Sequence, residues 1–159
     1  MIATIRPAAF FLALAFSIIW AAAAQAKTTT IDDAGTTALE PLVNLRWNSM
    51  APPRSGVDNS MSGTMTVQVR LNVMPWLKRS GRIYLSLPAQ QPGPIALSWV
   101  AQGRFLYSGQ LRSGNRVLVY AGPITTPFMD DLVKFQFTVD GALVRRPFPV
   151  TFRFEMDED

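Results

Sequence analysis

The sequence predicts an all-β fold, an immunoglobulin-like β-sandwich of about eight or nine short strands, and three observations carry that reading. Apolar and polar residues alternate one by one in several stretches, most clearly from Thr64 to Val73 and from Leu132 to Val139. The 12 Pro and 10 Gly are spread along the chain as punctuation, which suits short strands joined by turns better than long helices. No stretch beyond the N-terminal segment keeps a convincing helical period. With 48% hydrophobic and 16% charged residues, the 159-residue chain is too apolar to be disordered.

Residues 1–26 read as a signal peptide. Arg6 supplies a positive start, Ala8 to Ile19 is charge-free and apolar, and Ala24-Gln25-Ala26 offers small residues at both positions a signal peptidase reads. The rival reading is an uncleaved anchor, since the uncharged run reaches from Pro7 to Ala26, near the ~20 residues a bilayer requires. Its last third is alanine and glutamine, which favours cleavage. The expected location is periplasmic or extracellular, at the cell surface.

Residues 27–41 are polar and lack a clean period. They are expected to form a flexible leader, or a strand that docks only on a partner. The folded domain is expected over 42–159. Leu42 to Trp47 is a candidate first strand, and Asn48 to Ser62, with Pro52-Pro53, Gly56 and Asn59, reads as a long loop. From Thr64 onward Met65, Val67, Val69, Leu71 and Val73 share one face while Thr66, Gln68, Arg70 and Asn72 share the other. Pro75 ends the run. Ile83, Leu85 and Leu87 line the next strand, and Pro88, Pro92, Gly93 and Pro94 break it. Ile95 to Val100 and a short Arg104 to Tyr107 follow.

Two hairpins are expected. One folds Gly109–Arg112 onto Val117–Ala121 about Ser113-Gly114-Asn115, because Gly and Asn tolerate positive φ. The other is signalled by Asp140-Gly141 between Val133–Val139 and Ala142-Leu143-Val144. The last strand runs from Val150 to Met156, with Val150, Phe152, Phe154 and Met156 inward and an acidic tail, Asp157-Glu158-Asp159, frayed beyond it.

The chemistry-bearing residue types are few. The chain has no cysteine and no histidine, which removes disulfides, thiolate metal sites, the commonest general base and the commonest metal ligand. A serine nucleophile would need a lysine or carboxylate beside it. Lys27, Lys78 and Lys134 lie in the leader, in a turn and on a solvated strand face, with no motif around Lys78-Arg79-Ser80. Asp130-Asp131 is the only carboxylate pair inside the expected fold. Adjacent strand residues point apart, so the pair suits capping a turn before Leu132 better than glycosidase chemistry. No phosphate-binding loop, dinucleotide fingerprint or zinc spacing occurs, and the glycines from Gly103 to Gly114 read as turn glycines. The reading is of a non-enzyme with no cofactor. A net charge of +4 from scattered arginines lacks the dense basic face that nucleic acid needs. Arg145-Arg146-Pro147 reads as a solvated loop.

Aromatic side chains are the remaining candidates for binding. Trp99 and Tyr120 lie in apolar runs and are expected in or near the core. Trp76, beside Pro75 in a turn, and Tyr107 are the expected exposed contacts.

The layout of signal peptide, polar leader, short-stranded sandwich and alternating C-terminal strand (Phe152-Arg153-Phe154-Glu155-Met156) resembles that of Gram-negative fimbrial, or pilus-type, surface proteins. The resemblance spans the whole chain as a layout and rests on no specific motif. The chain departs from the family in lacking its usual cysteine pair and in running into an acidic tail. The resemblance implies a structural or assembly component of a cell-surface system that works by β-strand addition, with a periplasmic chaperone or fellow subunits as partners. The segment from Thr28 to Leu42 is then the candidate donated strand. The alternative is an autonomous carbohydrate- or protein-binding module of the envelope, using Trp76 and Tyr107.

Overall fold

The computed structural model describes residues 27–40, 42–49, 58–89, 93–105, 108–144 and 149–158. The expected signal peptide, the Pro52-Pro53 and Gly56 part of the loop, Pro92, Tyr107, Arg145-Arg146-Pro147 and Asp159 lie outside the described residues. Among the described residues there are ten strands: β1 Thr28–Thr30, β2 Thr37–Ala38, β3 Arg46–Trp47, β4 Ser60–Asn72, β5 Ser80–Leu87, β6 Ile95–Ala101, β7 Ser108–Arg112, β8 Asn115–Pro123, β9 Phe128–Asp140 and β10 Arg153–Glu158. One short 3-10 turn, Met74–Trp76, follows β4.

The strands form two antiparallel sheets packed face to face. The first has the order β1-β10-β5-β8. The second has the order β2-β4-β9-β6-β7, with β3 also pairing with β4. Its spine is β4 against β9, paired without interruption from Ser60↔Asp140 to Asn72↔Phe128. Because strand side chains alternate, this register sends Val67, Val69, Leu71, Val133, Phe135 and Phe137 together into the core. Ile83, Leu85, Leu87, Phe154 and Met156 meet them from the first sheet. Phe152 completes an aromatic run, 5.3 Å from Phe135 and 6.0 Å from Phe154 between ring centroids. Trp99 is buried and Tyr120 half-buried, as expected.

Several local expectations are corrected. The leader is part of the sandwich: β1 pairs with β10, Ile31 is buried at 2% exposure, and β2 pairs with β4. The β-branched run Thr28-Thr29-Thr30-Ile31 suits an extended backbone, and its single apolar residue anchors it. Of Leu42–Trp47, only Arg46–Trp47 is a strand.

The Ser113-Gly114 turn forms, with Gly114 at φ +88°, but it joins two sheets. β7 pairs with β6 and β8 pairs with β5. The turn is pinned to both layers, since Ser113 N donates to the Ile95 carbonyl and Gly114 N to the Leu87 carbonyl. Nor does Asp140-Gly141 make a hairpin. At that end β9 already pairs with β4 on one side (Ser60↔Asp140) and β6 on the other (Ile95↔Val139), so no edge is open to a returning strand. Residues 141–143 form a turn instead.

Arg104 and Phe105 are in a loop, not a strand, with Phe105 buried. Asp130 and Asp131 do point apart, but both lie within β9 and cap no turn before Leu132. Asp130 faces Arg70 at 3.6 Å. Asp131 points inward, is 3% exposed, and accepts backbone N–H groups from Gln102, Gly103 and Phe105 at 3.2, 2.8 and 2.8 Å. Finally, the acidic tail is not frayed through Glu158: β10 includes Asp157 and Glu158, and Asp157 is 5% exposed.

Candidate functional site

Trp76 is not an exposed contact. It is 6% exposed, and its Nε1 donates to Glu158 Oε1 at 3.0 Å while Arg79 donates to the other oxygen at 3.1 Å. Pro75 turns the chain so that the indole folds back over β10 and carries its polar edge to a carboxylate. Tyr107 lies outside the described residues. Lys78, at φ +66°, continues this turn with its N–H on the Ile124 carbonyl.

The outer surface of the first sheet is knitted together by charge. Arg116 holds both Asp157 oxygens, at 3.0 and 2.9 Å, lies 3.5 Å from Glu155, and stacks 4.4 Å over the Tyr84 ring. The Arg116 hydrogen bonds hold the Asp157 carboxyl below its ordinary value of 3.8; partial burial opposes the shift and the Thr28 hydroxyl assists it. This cluster ties β1, β8 and β10 together, and nothing in it is poised to react.

A different region is open. β2 and β3 both pair with the outer edge of β4, but not in one continuous register. Ala38 faces Val67 and Arg46 faces Ser62, so seven residues of the strap (39–45) span four residues of β4 (63–66). The two pairings therefore cannot belong to one continuous ladder, and the strap bows away from it between them. Leu39 N donates to the Thr66 carbonyl at 2.9 Å, yet the Thr66 N–H is satisfied by the Glu40 carboxylate at 2.7 Å. A side chain thus stands where a strand carbonyl would be. Val43 and Asn44 rest on the backbone of Gly63, where an added Cβ would lie 2.6 Å from Val43 Cγ1 and 2.8 Å from the Asn44 carbonyl oxygen.

Behind the bow lies a mainly apolar groove of about 690 Å³ between the sheets, lined by Leu42, Val43, Leu45, Met65, Phe137 and Phe152 among others. Leu42, in its lining, is 72% exposed, and two further apolar side chains of the same strap, Leu39 at 59% and Trp47 at 45%, face solvent outside it. Exposed apolar side chains concentrated along one sheet edge are the surface feature that a neighbouring chain covers. The groove carries no acid–base pair. Among the described residues no cluster of three or more metal-ligating acidic side chains occurs, and no helix is long and apolar enough to cross a membrane.

Neither Trp76 nor Asp130-Asp131 contributes to this groove. The sequence does not mark these residues as a site, because Leu42-Val43-Asn44-Leu45 alternates poorly and reads as an indifferent strand. The signal available was the clustering of Leu39, Leu42, Leu45 and Trp47 in a segment also rich in polar residues.

The fold and groove define a β-sandwich with an incompletely paired edge. Comparison with known protein families, curated proteins and solved structures finds no significant match for this chain.

Proposed function

We propose that this chain is a non-enzymatic, exported β-sandwich, immunoglobulin-like in layering. In this reading it acts as a structural or assembly component of a fimbria-like cell-surface system and works through β-strand addition. The observation that carries this reading is the apolar groove at the β2/β3 edge, where the Thr66 N–H is held by the Glu40 side chain and Leu42 of the lining is exposed.

The occupant is an extended strand from an envelope protein, a fellow subunit or an assembly chaperone. Main-chain hydrogen bonds along β4 would supply affinity, and alternate apolar side chains would enter the groove. The bowed strap has to shift to admit it. Residues 28–31 are less suited to be the donated segment than their sequence suggests, because β1 is already paired with β10 and Ile31 fills the chain's own core. The alternative reading, an autonomous sugar-binding module built on Trp76, is weakened by the burial of that side chain.

The test is export of the full chain in a Gram-negative host, followed by native mass spectrometry of the periplasmic and surface fractions. The expected result is an oligomer or a stoichiometric envelope partner that is lost in the Leu42→Lys variant. A reversible monomer with no partner, identical in both proteins, defeats the proposal. Leu42 is so exposed that its replacement leaves folding intact.

A further inference from the structure

The outer face of the six-stranded sheet differs from that of its partner sheet. Strand register sets its residues in rows across the strands. The middle row is Thr64–Gln136–Ser98–Gln110, on β4, β9, β6 and β7. With strands about 4.8 Å apart, these four side chains form a line roughly 14 Å long. None of the four makes a hydrogen bond among the described residues. A shallow depression of about 520 Å³ lies over the row, and a second of about 840 Å³ shares Ser98 and Gln110 with it.

The two neighbouring rows each add one cation. Arg112 stands beside Ala96, and Lys134 stands beside Val100. Both cations are exposed, and among the described residues neither is ion-paired. The three rows contain no acidic residue. Arg116, by contrast, is fully engaged with carboxylates on the opposite sheet. Val100, 47% exposed, adds an apolar platform beside Lys134.

We propose that this face binds an acidic polysaccharide chain. Amide and hydroxyl groups both donate and accept, as a run of sugar hydroxyls requires. Arg112 and Lys134 flank that uncharged line on either side and suit carboxylate or sulfate substituents on the same chain. Two cations are too few for the phosphate backbone of nucleic acid, where affinity depends on many neutralised phosphates. The site is separate from the groove at the β2/β3 edge and does not depend on strand addition.

Affinity electrophoresis of the full chain tests it, with polygalacturonate, neutral dextran and polyglutamate as the immobilised polymers. Polygalacturonate is expected to retard the protein strongly and dextran hardly at all. Arg112→Ala with Lys134→Ala, and separately Gln110→Ala with Gln136→Ala, should each weaken retardation about tenfold or more, equivalent to ~1.4 kcal/mol. All four positions face solvent, so unchanged circular dichroism confirms that the variants are folded. No retardation by polygalacturonate overturns the proposal. Equal retardation by polyglutamate, or indifference to the glutamine pair, reduces the effect to general charge attraction and overturns it too. Equal retardation by dextran rejects the acidic class.

Discussion

A carboxylate on the inner face of a sandwich is costly unless its oxygens are fully used, and Asp131 uses both on one loop. Gln102 and Gly103 donate to one oxygen and Phe105 to the other, so the buried phenyl of Phe105 is seated through the backbone beside it. Asp131→Ala leaves the Gly103 and Phe105 N–H groups without an acceptor, while the Gln102 N–H keeps the Leu132 carbonyl at 3.1 Å; it should lower stability by about 2–4 kcal/mol, read as a shift in the urea midpoint. Asp131→Asn should recover only part of that loss, since its amide turns a donor toward another donor. Gly103→Ala tests the same contact from the other side, because its Cβ would lie 3.0 Å from the carboxylate atoms.

Asp157 gives the pH dependence its sign. Its folded carboxyl titrates below the ordinary 3.8, chiefly because Arg116 donates to it. Its contribution is therefore fully present above that ordinary value and is lost as the pH falls through the lower folded one. Asp157→Asn should be less stable than the parent by about 1–2 kcal/mol at pH 7. The gap should narrow when urea unfolding is repeated near pH 2.

At the scale of elements, edges decide what the chain does with its turns. Asp140-Gly141 is a strong local hairpin signal, yet β9 is the middle of its sheet there and cannot accept another strand. Ser113-Gly114 is a good tight turn, yet the flanking strands find better partners in β5 and β6. The long alternating runs of β4, β5, β6, β9 and β10 were legible, because a period of two over six or more residues has only one extended solution. Which runs pair is a non-local matter that the order of residues does not display. The short strands β1, β2 and β3 were illegible for the opposite reason: two or three residues carry no period. Of the candidate groove almost nothing was legible, since it arises from a mismatch in register between two short strands.

Glu40 is the element-scale prediction. Its carboxylate occupies the Thr66 N–H, so Glu40→Ala uncovers a ladder donor on an apolar edge. The variant should keep its near-ultraviolet circular dichroism but self-associate more readily, seen as a concentration-dependent rise in light scattering. Adding Leu42→Lys should suppress that rise.

For the whole molecule, the chain must hold itself together without a disulfide. The aromatic run of Phe135, Phe137, Phe152 and Phe154 crosses from one sheet to the other. Phe135→Ala, at 1% exposure, should cost about 3–5 kcal/mol. Against a typical stability of ~5–15 kcal/mol, that loss should bring the chain close to its unfolding threshold, as calorimetry would record.

β10 is the last described strand in the chain, yet it lies between β1 and β5. A ribosome delivers a polypeptide from its front end, so until residues 153–158 emerge the first sheet is missing an interior member. Closure waits for residues 153–158, and until then Ile31 and Ile83 lack the strand that separates and covers them. A polypeptide that stopped before residue 153 would be left with a gap between β1 and β5, and a cell making it would meet a sticky half-built layer, not a slightly shorter protein.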